Sequence, residues 1–559
     1  MKNLRQSKCS AARRQAANAP LFAIVFALPR LVTVLGCMLL LAVAPLALHA
    51  QTYTDLYDVT CDNGCLSYPP GILAQGTDGN LYGTMFAGGT GNGGTVFKIT
   101  PSGAITALYK FAGADGYEPS GGLTLGTDGN LYGTTRSGGA NTLGTIFMIT
   151  PTGSLHTLHS FTGSDGQVPY TPPVQGKNGS YYGVTSAGTA YSITSSGTFK
   201  LLSTAIPQSS IAPLLLASDG NFYGTSEGGG NIGQGTVFRL SAAGAVKVVY
   251  NFDGTHGRVP YGPVVQGSDG FLYGNTPAGG SPTTGGVVFK LSTGGKITVL
   301  HEFDQSSLTD GYEPEDGLVA ATDGNFYGAT SAGVPGGSAQ YGTLFKITKS
   351  GTYSIQYVFD GTHGATQLAN SMQHTNGTLY GLPEAGGLNG SGVFYSLAEG
   401  IPPFVSLVGY PAGTAGTTVE ILGNGLTGAT SVLFGSGSAT FSVVSDTYMT
   451  ALVPSSGTSG TVAVTTAGGT LKSKQLFKVI PVILSFKPTS GPIGTQVTIT
   501  GTGLTGATTV TFGGVKATVF TVNSGTQVTA TVPAGALTGK IKITTAGGTA
   551  TSSGTFTVT

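Results

Sequence analysis

The sequence predicts an all-β protein, in which a seven-bladed β-propeller closed by an N-terminal strand is followed by two small β-sandwich domains. Two observations predict this fold: a unit of about fifty residues occurs seven times, and a different unit of about eighty residues occurs twice after Pro402. A period of about fifty is typical of four-stranded propeller blades and is too long for one rung of a β-helix. A Tyr-Gly pair marks each copy, at Tyr82, Tyr132, Tyr182, Tyr223, Tyr273, Tyr327 and Tyr380.

Residues 120–166 show how one repeat is expected to fold. The predicted strands are 122–125, 131–135, 145–149 and 155–161. Asp128-Gly129 between the first two strands is a hairpin signal, because glycine accepts positive φ and aspartate bonds its own turn. The third strand is apolar on both faces, as expected where each blade packs between two neighbours. Its aromatic residues are therefore predicted to belong to the core.

The seventh repeat lacks a fourth strand. After Leu397 the chain passes directly to Pro402-Pro403, whereas the segment Thr54–Val59 resembles the fourth strand Thr106–Phe111 of the first full repeat. Such an exchange closes a propeller ring and protects its edge strands. The segment is therefore predicted to complete the last blade. The sandwiches, which have their own cores, are expected to be dispensable to the ring.

Successive strands alternate direction, so short Asp-Gly turns are predicted on one face of the ring and long loops on the other. Function on a rigid scaffold tends to lie on long loops, which makes the loop face the candidate binding surface. Five aspartates recur there after the fourth strands, and they are the candidate binding residues: Asp115, Asp165, Asp253, Asp310 and Asp360. The alternative is structural, because aspartate before glycine is also what a tight turn selects.

Composition excludes several classes of protein. The chain has 93 glycines and 40% apolar residues with only 9% charged residues, which indicates many turns and buried strands rather than disorder. All six basic residues of the first fifty precede Leu31, and without them 19 basic and 24 acidic residues remain, a net charge of about −5. A mildly acidic body without basic runs predicts neither nucleic acid nor anionic lipid as a partner.

Residues 1–50 are predicted to be a secretory signal cleaved between Ala50 and Gln51. Six basic residues without an acid precede the apolar run Leu31–Leu48. An uncleaved anchor helix is the alternative, since the run approaches the ~20 residues that span a bilayer. After cleavage no membrane association is expected, and the protein is expected to be an exported monomer, extracellular or on the cell surface, with the periplasm as the alternative location.

Cys61 and Cys65 are the only cysteines after the signal, and an exported location permits their oxidation. A small disulfide-closed loop is predicted. A metal pair is the alternative, but it would need two further ligands that the neighbouring sequence does not supply. No cofactor is predicted. Calcium stays an open alternative because of the loop aspartates, although no calcium-binding motif supports it.

The second sandwich unit carries Ser490-Gly491-Pro492, the segment Gly494–Ile499, Gly501–Leu504, Phe512-Gly513-Gly514 and Val532-Pro533. These motifs resemble IPT/TIG immunoglobulin-like domains, and the first unit matches them less fully, without the Ser-Gly-Pro segment. The resemblance implies two Ig-like β-sandwiches. The predicted organisation is thus signal 1–50, propeller 51–400, and Ig-like domains 401–479 and 480–559.

The seven repeats contain Tyr-Gly-Thr, Gly-Thr-Val-Phe-Lys-Ile and Asp-Gly, and over about residues 53–400 they resemble the tandem units called GloVer repeats. That family implies export and surface display, without an established activity. An exported recognition or adhesion protein is the first hypothesis, with a carbohydrate or an envelope or extracellular protein as partner and the Ig-like domains as spacers. The alternatives are a propeller-based glycan hydrolase or lyase, which needs paired carboxylates, and a purely structural envelope protein.

Overall fold

The computed structural model describes residues 51–60, 72–281, 285–305, 310–333, 341–366 and 371–559. The predicted signal and the Cys61/Cys65 pair lie outside these residues. The described chain is built of strands, with two short 3-10 helices at Thr90–Asn92 and Leu426–Gly428.

Seven four-stranded antiparallel sheets form the blades, and each blade runs from an inner first strand to an outer fourth strand. The first strands contact one another between blades 1 and 2, 3 and 4, and 5 and 6, so they line the inner wall of the ring. The first strands are β2 (Ala74–Gln75), β6 (Thr124–Leu125), β10 (Val174–Gln175), β14 (Leu215–Leu216), β18 (Val265–Gln266), β22 (Val319–Ala320) and β26 (Met372–Gln373). The second strands are β3 (Leu81–Met85), β7 (Leu131–Thr135), β11 (Tyr181–Val184), β15 (Phe222–Ser226), β19 (Leu272–Thr276), β23 (Phe326–Thr330) and β27 (Leu379–Gly381).

The third and fourth strands complete the blades, which are numbered 1 to 7 from β2 onward. The third strands are β4 (Thr95–Ile99), β8 (Thr145–Ile149), β12 (Ala190–Ile193), β16 (Thr236–Leu240), β20 (Val287–Leu291), β24 (Thr343–Ile347) and β28 (Val393–Ala398). The fourth strands are β5 (Ile105–Lys110), β9 (Leu155–Ser160), β13 (Phe199–Ser203), β17 (Val246–Asn251), β21 (Ile297–Glu302), β25 (Tyr353–Val358) and, for blade 7, β1 (Thr52–Asp58).

The Tyr-Gly pair has a physical reason in each of its two residues. The hydroxyl of Tyr82 donates to the carboxylate of Asp78 in the preceding turn at 2.7 Å, and four other blades make the same bond. Gly83 pairs with Phe97 of the third strand, and a Cβ at this glycine would lie only 2.6 Å from the Phe97 ring. The tyrosine therefore stabilises the hairpin turn, and the glycine leaves space for the aromatic ring of the third strand.

The N-terminal strand closes the ring, as predicted. β1 pairs antiparallel with β28, from Thr52 opposite Ala398 to Asp58 opposite Val393. The Tyr53 ring lies between two neighbours, with its centroid 3.7 Å from that of Tyr357 and 5.2 Å from that of Tyr395. The first and last segments of the propeller are thus joined by a full strand ladder.

Two β-sandwiches follow the ring, each around its own buried core. The first contains β29 (Ser406–Leu407), β30 (Ala412–Gly413), β31 (Thr418–Leu422), β32 (Ser431–Phe434), β33 (Gly437–Ser438), β34 (Phe441–Val443), β35 (Tyr448–Leu452), β36 (Gly460–Thr466) and β37 (Gly469–Val479). The second contains β38 (Val482–Lys487), β39 (Ser490–Gly491), β40 (Gln496–Thr502), β41 (Thr509–Phe512), β42 (Val515–Lys516), β43 (Phe520–Ser524), β44 (Gln527–Thr531), β45 (Ile541–Thr545), β46 (Gly548–Thr551) and β47 (Thr557–Val558).

Candidate functional site

The first sandwich packs on the face of the ring that carries the short turns. Thr447 donates through its hydroxyl to the carbonyl oxygen of Thr77 in the blade 1 turn at 2.8 Å. The Lys177 ammonium of blade 3 lies 4.5 Å from the centre of the Tyr410 ring, and Lys478 donates to the carbonyl of Ser218 in blade 4 at 2.5 Å. A cleft of about 160 Å³ remains between this domain and the turns of blades 2 and 3.

In blade 7 the turn residue Thr375 makes several hydrogen bonds with the segment that contains the first sandwich. The Thr375 hydroxyl accepts from Nδ2 of Asn424 at 2.7 Å and lies 3.3 Å from the carbonyl oxygen of Gly423. The backbone N–H of Phe404 donates to the Thr375 carbonyl at 3.0 Å. Because the domain also holds the blade 1 turn, it bridges the two blades between which the ring closes. The first sandwich is therefore more than a spacer in this structure.

The five predicted binding aspartates lie on the loop face, one in each of five blades, and each carboxylate has a partner in its own loop region. Asp115 accepts from the Tyr109 hydroxyl. The other four pair with histidines: Asp165 lies 3.0 Å from Nε2 of His159, Asp310 lies 2.8 Å from Nε2 of His301, and Asp253 and Asp360 each lie 2.7 Å from Nδ1 of His256 and His363.

These carboxylates also accept hydrogen bonds from backbone N–H groups of their own loops. The N–H groups of Ala112 and Thr162 donate to Asp115 and Asp165, which follow them by three residues, and the N–H of His256 donates to Asp253, which precedes it by three. The structure does not bring the five aspartates together, because each closes the loop after its own fourth strand. Whether any of them contacts a ligand stays a prediction.

A different set of side chains gathers at the loop-face end of the inner wall. In five blades the residue four places after the repeat tyrosine donates its N–H to a carbonyl in the segment leading into the first strand: Arg136 to Glu118, Ser186 to Val168, Glu227 to Ser209, Ser331 to Glu313, and Glu384 to Thr366. These positions therefore ring the axis. We call this region the axial mouth and define it by Phe86, Arg136, Tyr170, Glu227, Tyr261, Glu315 and Glu384.

The side of the axial mouth formed by blades 1 to 3 is aromatic and cationic. The guanidinium carbon of Arg136 lies 5.9 Å from the ring centre of Phe86 and 5.3 Å from that of Tyr170. Arg136 also makes a long ion pair of 4.0 Å with Glu118. Both side chains are partly exposed, so this pair contributes little to stability. The Arg136 guanidinium is therefore held mainly by cation–π contacts with the Phe86 and Tyr170 rings.

The opposite side of the axial mouth is acidic, and we call Glu227, Tyr261, Glu315 and Glu384 the acidic arc. Burial raises the pKa of Glu227 and of Glu384 to about 7. Burial, with added repulsion from Glu313 and Glu384, raises the pKa of Glu315 to about 7 as well. Burial also raises the pKa of Tyr261, and the charges of Glu227 and Glu315 on either side raise it further. The arc therefore spans four neighbouring blades, 4 to 7.

The acidic arc has no cation of its own among the described residues. No lysine or arginine there lies within 4.0 Å of Glu227, Glu315 or Glu384, in contrast to Glu118. The segments 61–71, 282–284, 306–309, 334–340 and 367–370 contain neither residue type. Carboxyl groups that are desolvated without a counter-charge hold their protons up to neutral pH.

Sequence reasoning missed the axial mouth, although one signal was present. The position four residues after the repeat tyrosine is Phe86, Arg136, Ser186, Glu227, Pro277, Ser331 and Glu384 in blades 1 to 7. A position that each blade needed for folding would hold similar residues in all copies, as the Tyr-Gly pair does. Variation in charge at a fixed place of the repeat therefore indicates a role outside the blade itself.

The described part of the chain contains neither a cluster of three candidate metal ligands nor a membrane-spanning helix. No three acidic, histidine or cysteine side chains approach closely enough there to hold a metal ion. Within the same residues no helix is long and apolar enough to cross a membrane. The predicted disulfide between Cys61 and Cys65 falls in the undescribed segment 61–71 and stays a prediction.

The fold and its covered turn face define a β-propeller protein with appended Ig-like sandwiches, and sequence comparison identifies the family. The chain matches the Gloeobacter/Verrucomicrobia repeat over residues 43–206 and 186–395, and the IPT/TIG domain over 403–479 and 481–558. The protein therefore belongs to the Gloeobacter/Verrucomicrobia repeat family, and it carries two IPT/TIG domains. Both resemblances inferred from the sequence are confirmed. No curated protein matches the chain.

Several solved structures are similar at low identity. Virginiamycin B lyase from Staphylococcus aureus is 15% identical, with 62% of this chain and 98% of that chain covered and a TM-score of 0.44. A surface glycan-binding protein from Prevotella bryantii is 17% identical, with 27% and 41% covered and a TM-score of 0.21. A fungal alcohol oxidase in complex with copper is 13% identical, with 77% and 98% covered and a TM-score of 0.45. No function is transferred from them.

Proposed function

We propose that this protein is an exported, non-catalytic recognition or adhesion protein that binds its ligand at the axial mouth. The partner class is a carbohydrate or an extracellular or envelope protein. The observation that carries the proposal is the asymmetry of the mouth: Arg136 between two aromatic rings faces carboxyl groups from other blades, although the repeat does not require charge at these places. Binding sites combine aromatic surface with a few polar groups in this way.

The arrangement of the domains supports the same face. The first IPT/TIG domain covers turns of blades 1, 3, 4 and 7 on the opposite side of the ring. A ligand that approached from that side would meet this domain first. The loop face carries the longer loops and is the natural approach to the mouth. The second IPT/TIG domain is then the spacer.

A binding screen against glycans and envelope extracts tests this proposal. Arg136→Ala and Tyr170→Ala should each weaken binding, because they remove a charge and an aromatic platform from the mouth, without loss of thermal stability. Asp128→Asn in a tight turn is the control on the other face, and it should leave affinity unchanged. Binding that depends on Asp128 and not on Arg136 would contradict the proposed face.

A glycan hydrolase or lyase is the second candidate, favoured by one observation. Carboxyl groups with a pKa of about 7, such as Glu227 and Glu384, are suited to donate a proton at neutral pH. Release of new reducing ends or unsaturated products from a bound glycan would establish the enzyme. Binding without any product, with the glycan recovered intact, would leave the recognition role.

A further inference from the structure

We propose that the exposed end of the second IPT/TIG domain is a docking surface for an anionic phospholipid bilayer. We call this end the distal tip and define it by three exposed apolar residues and the lysines around them: Ile493, Val519 and Leu537, with Lys487, Lys516, Lys540 and Lys542. The inference goes beyond the ligand site at the axial mouth and is independent of it, because the distal tip lies in another domain.

Backbone hydrogen bonds place the three apolar residues at one end of the domain. The residue after Ile493 donates its N–H to the carbonyl of Val532 at 2.9 Å, and the last residue of β44 donates to the carbonyl of Val519 at 3.0 Å. Leu537 lies in the connection from β44 to β45, and a Cβ at Gly513 after β41 would lie only 2.2 Å from its carbonyl oxygen. The three residues are 57% to 62% exposed. Exposed apolar residues gathered at one end of a small domain indicate an interaction surface.

The other end of the domain is held by the first sandwich. Gly503, directly after β40, donates its N–H to the carbonyl of Ser455 at 2.9 Å, and the Thr505 hydroxyl donates to the carbonyl of Ser456 at 3.2 Å. From the distal tip to this junction β40 runs over seven residues, about 23 Å at about 3.3 Å per residue. This length exceeds the Debye length of ~8 Å at physiological ionic strength. The acidic propeller beyond the first sandwich is therefore screened from a surface that meets the distal tip.

The charge of this domain is opposite to that of the propeller. Residues 480–559 contain four lysines and no acidic residue, whereas residues 51–400 contain 12 basic and 22 acidic residues. The net charge of about −5, from which no lipid partner was expected, is an average over these two regions. Among the described residues, none of the four lysines has a carboxylate within 4.0 Å. The domain therefore presents positive charge without a counter-charge.

All four lysines lie close to strand ends at the distal tip. Lys516 and Lys542 are both paired with Thr511, one residue before the end of β41. Lys540 immediately precedes β45, and Lys487 is the last residue of β38, opposite the first half of β40. All four are exposed. An anionic bilayer fits this combination, because apolar side chains enter the headgroup boundary while lysines attract its phosphate groups.

The first sandwich shows that the fold does not require these residues. It makes the same backbone hydrogen bonds at the same end, from Gly416 to the Val453 carbonyl and from Leu452 to the Thr440 carbonyl. The residues there that are equivalent to Ile493, Val519 and Leu537 are Ala415, Thr440 and Thr458. The residues equivalent to Lys516, Lys540 and Lys542 are Ser438, Thr461 and Ala463. In the first sandwich this end contacts the second sandwich, so the apolar and basic residues occur where the end is exposed.

A bilayer is favoured over other partners by the combination of the two residue classes. A soluble polyanion such as an acidic polysaccharide would bind through charge and would leave the exposed apolar residues unexplained. A second copy that docked tip to tip would bring four further lysines to the same surface, and like charges repel. A bilayer uses both the apolar residues and the lysines.

Vesicle flotation of residues 51–559, which contain the ring and both sandwiches, tests the assignment. Vesicles of phosphatidylcholine and phosphatidylglycerol in equal amounts are compared with vesicles of phosphatidylcholine alone at physiological salt. The apolar variant combines Ile493→Ala, Val519→Thr and Leu537→Thr. The lysine variant combines Lys516→Ser, Lys540→Thr and Lys542→Ala. Both variants carry the residues that the first sandwich holds at the same positions, so both should fold, and thermal unfolding checks this.

The matched control variant removes the same positive charge from the outer strands of the propeller. It combines substitutions at three exposed lysines of blades 3, 4 and 5: Lys200→Ser, Lys247→Thr and Lys296→Ala. These lysines lie in separate blades, away from the distal tip. A general effect of net charge on vesicle binding would therefore appear in the control as well.

We expect the parent to bind the anionic vesicles far more tightly than the neutral ones. The lysine variant should lose affinity roughly a hundredfold, and the apolar variant roughly tenfold or more, while the control variant binds as the parent does.

Three other outcomes would overturn the assignment. Binding that the apolar substitutions leave unchanged, and that soluble polygalacturonate competes away, would identify an acidic polysaccharide as the partner. A dimer in sedimentation velocity that the apolar variant abolishes, without vesicle binding, would identify a second copy. A monomeric parent that binds neither kind of vesicle would refute the docking surface, while the screen with Arg136→Ala still decides the proposed function at the axial mouth.

Discussion

Nδ2 of Asn424 in the first IPT/TIG domain donates a 2.7 Å hydrogen bond to the hydroxyl of Thr375 in the last blade of the ring. Thr375 in turn contacts blade 1, because its N–H donates to Oε1 of Gln75 at 3.0 Å and its hydroxyl accepts from Nε2 of Gln75 at 2.8 Å. The first IPT/TIG domain is thus hydrogen-bonded to the seam where the last blade meets the first.

Because of this contact we now expect the first sandwich to stabilise the ring, whereas the sequence led to the expectation that both sandwiches are dispensable. Removal of residues 401–559 should lower the melting temperature of the propeller, because the contacts at Thr375 and Thr77 are lost together. Removal of residues 480–559 alone is the control and should leave it unchanged. Asn424→Ala should cost about 1 kcal/mol, the usual value of one hydrogen bond. Differential scanning calorimetry measures all three variants. Equal melting temperatures of the two truncations would show that the first IPT/TIG domain does not stabilise the ring.

Closure by β1 should depend on the ring of Tyr53. Tyr53→Ala removes a ring stacked on Tyr357 and should cost about 3 kcal/mol of unfolding free energy, in the range of large aromatic truncations. Tyr53→Phe keeps the stacking and removes only the hydroxyl, which donates to the His363 carbonyl at 2.6 Å, so it should cost about 1 kcal/mol. Denaturant unfolding followed by tyrosine fluorescence measures both. Equal effects would mean that stacking does not hold the strand.

Deletion of residues 51–60 should expose the edge of β28 and cause aggregation, because β1 supplies the whole outer ladder of blade 7. Light scattering on heating measures it. The deletion should also cost several kcal/mol, since multiple partly buried apolar side chains, each worth ~1.5–3 kcal/mol, leave the core. A deletion variant that stays monomeric and melts with the parent would show that another segment can close the ring.

The acidic arc should make stability fall as pH rises through the near-neutral range. Folded Glu227, Glu315 and Glu384 have a pKa of about 7, above the ordinary value of 4.5, so between these values the folded protein holds protons that the unfolded chain releases. Their contribution to the free energy of unfolding is complete below about pH 4.5 and is lost above about pH 7.

The triple glutamine variant should flatten this pH dependence. The measurement is the melting temperature at several pH values, expressed as the difference between variant and parent. That difference cancels the opposite effect of buried His374, whose pKa burial lowers. A parent and variant with parallel profiles would show that the three carboxyl groups do not titrate as inferred.

The Cys61/Cys65 pair should be oxidised in exported protein, and its stabilisation should be small because so short a loop removes little unfolded-state entropy. Thiol labelling of the unreduced protein measures it, with a reduced sample as the control. Two labelled thiols would refute the pairing. The same preparation gives the N-terminal sequence, which should begin at Gln51 if the signal is cleaved as predicted.

The sequence by itself determined the propeller, because a blade is a local unit whose turns and apolar strands recur at a fixed period. One hairpin shows why. The Tyr82 hydroxyl bonds the Asp78 carboxylate, and Gly83 has no Cβ to clash with the third strand. Both constraints act within one blade, so they recur wherever the blade is repeated. Even the closure by β1 was readable, since the seventh unit lacked one strand and the N-terminus supplied its pattern.

Only the tertiary structure decided the candidate site and the position of the first IPT/TIG domain. Arg136, Glu227 and Glu384 lie 91 (136 to 227) and 157 (227 to 384) residues apart in the chain, and they reach one mouth only when the ring closes. Asn424 and Thr375 are bonded across two domains that have separate cores. Such contacts depend on how whole units pack, and a hydrogen bond or a desolvated carboxyl group between units leaves no periodic trace in the chain.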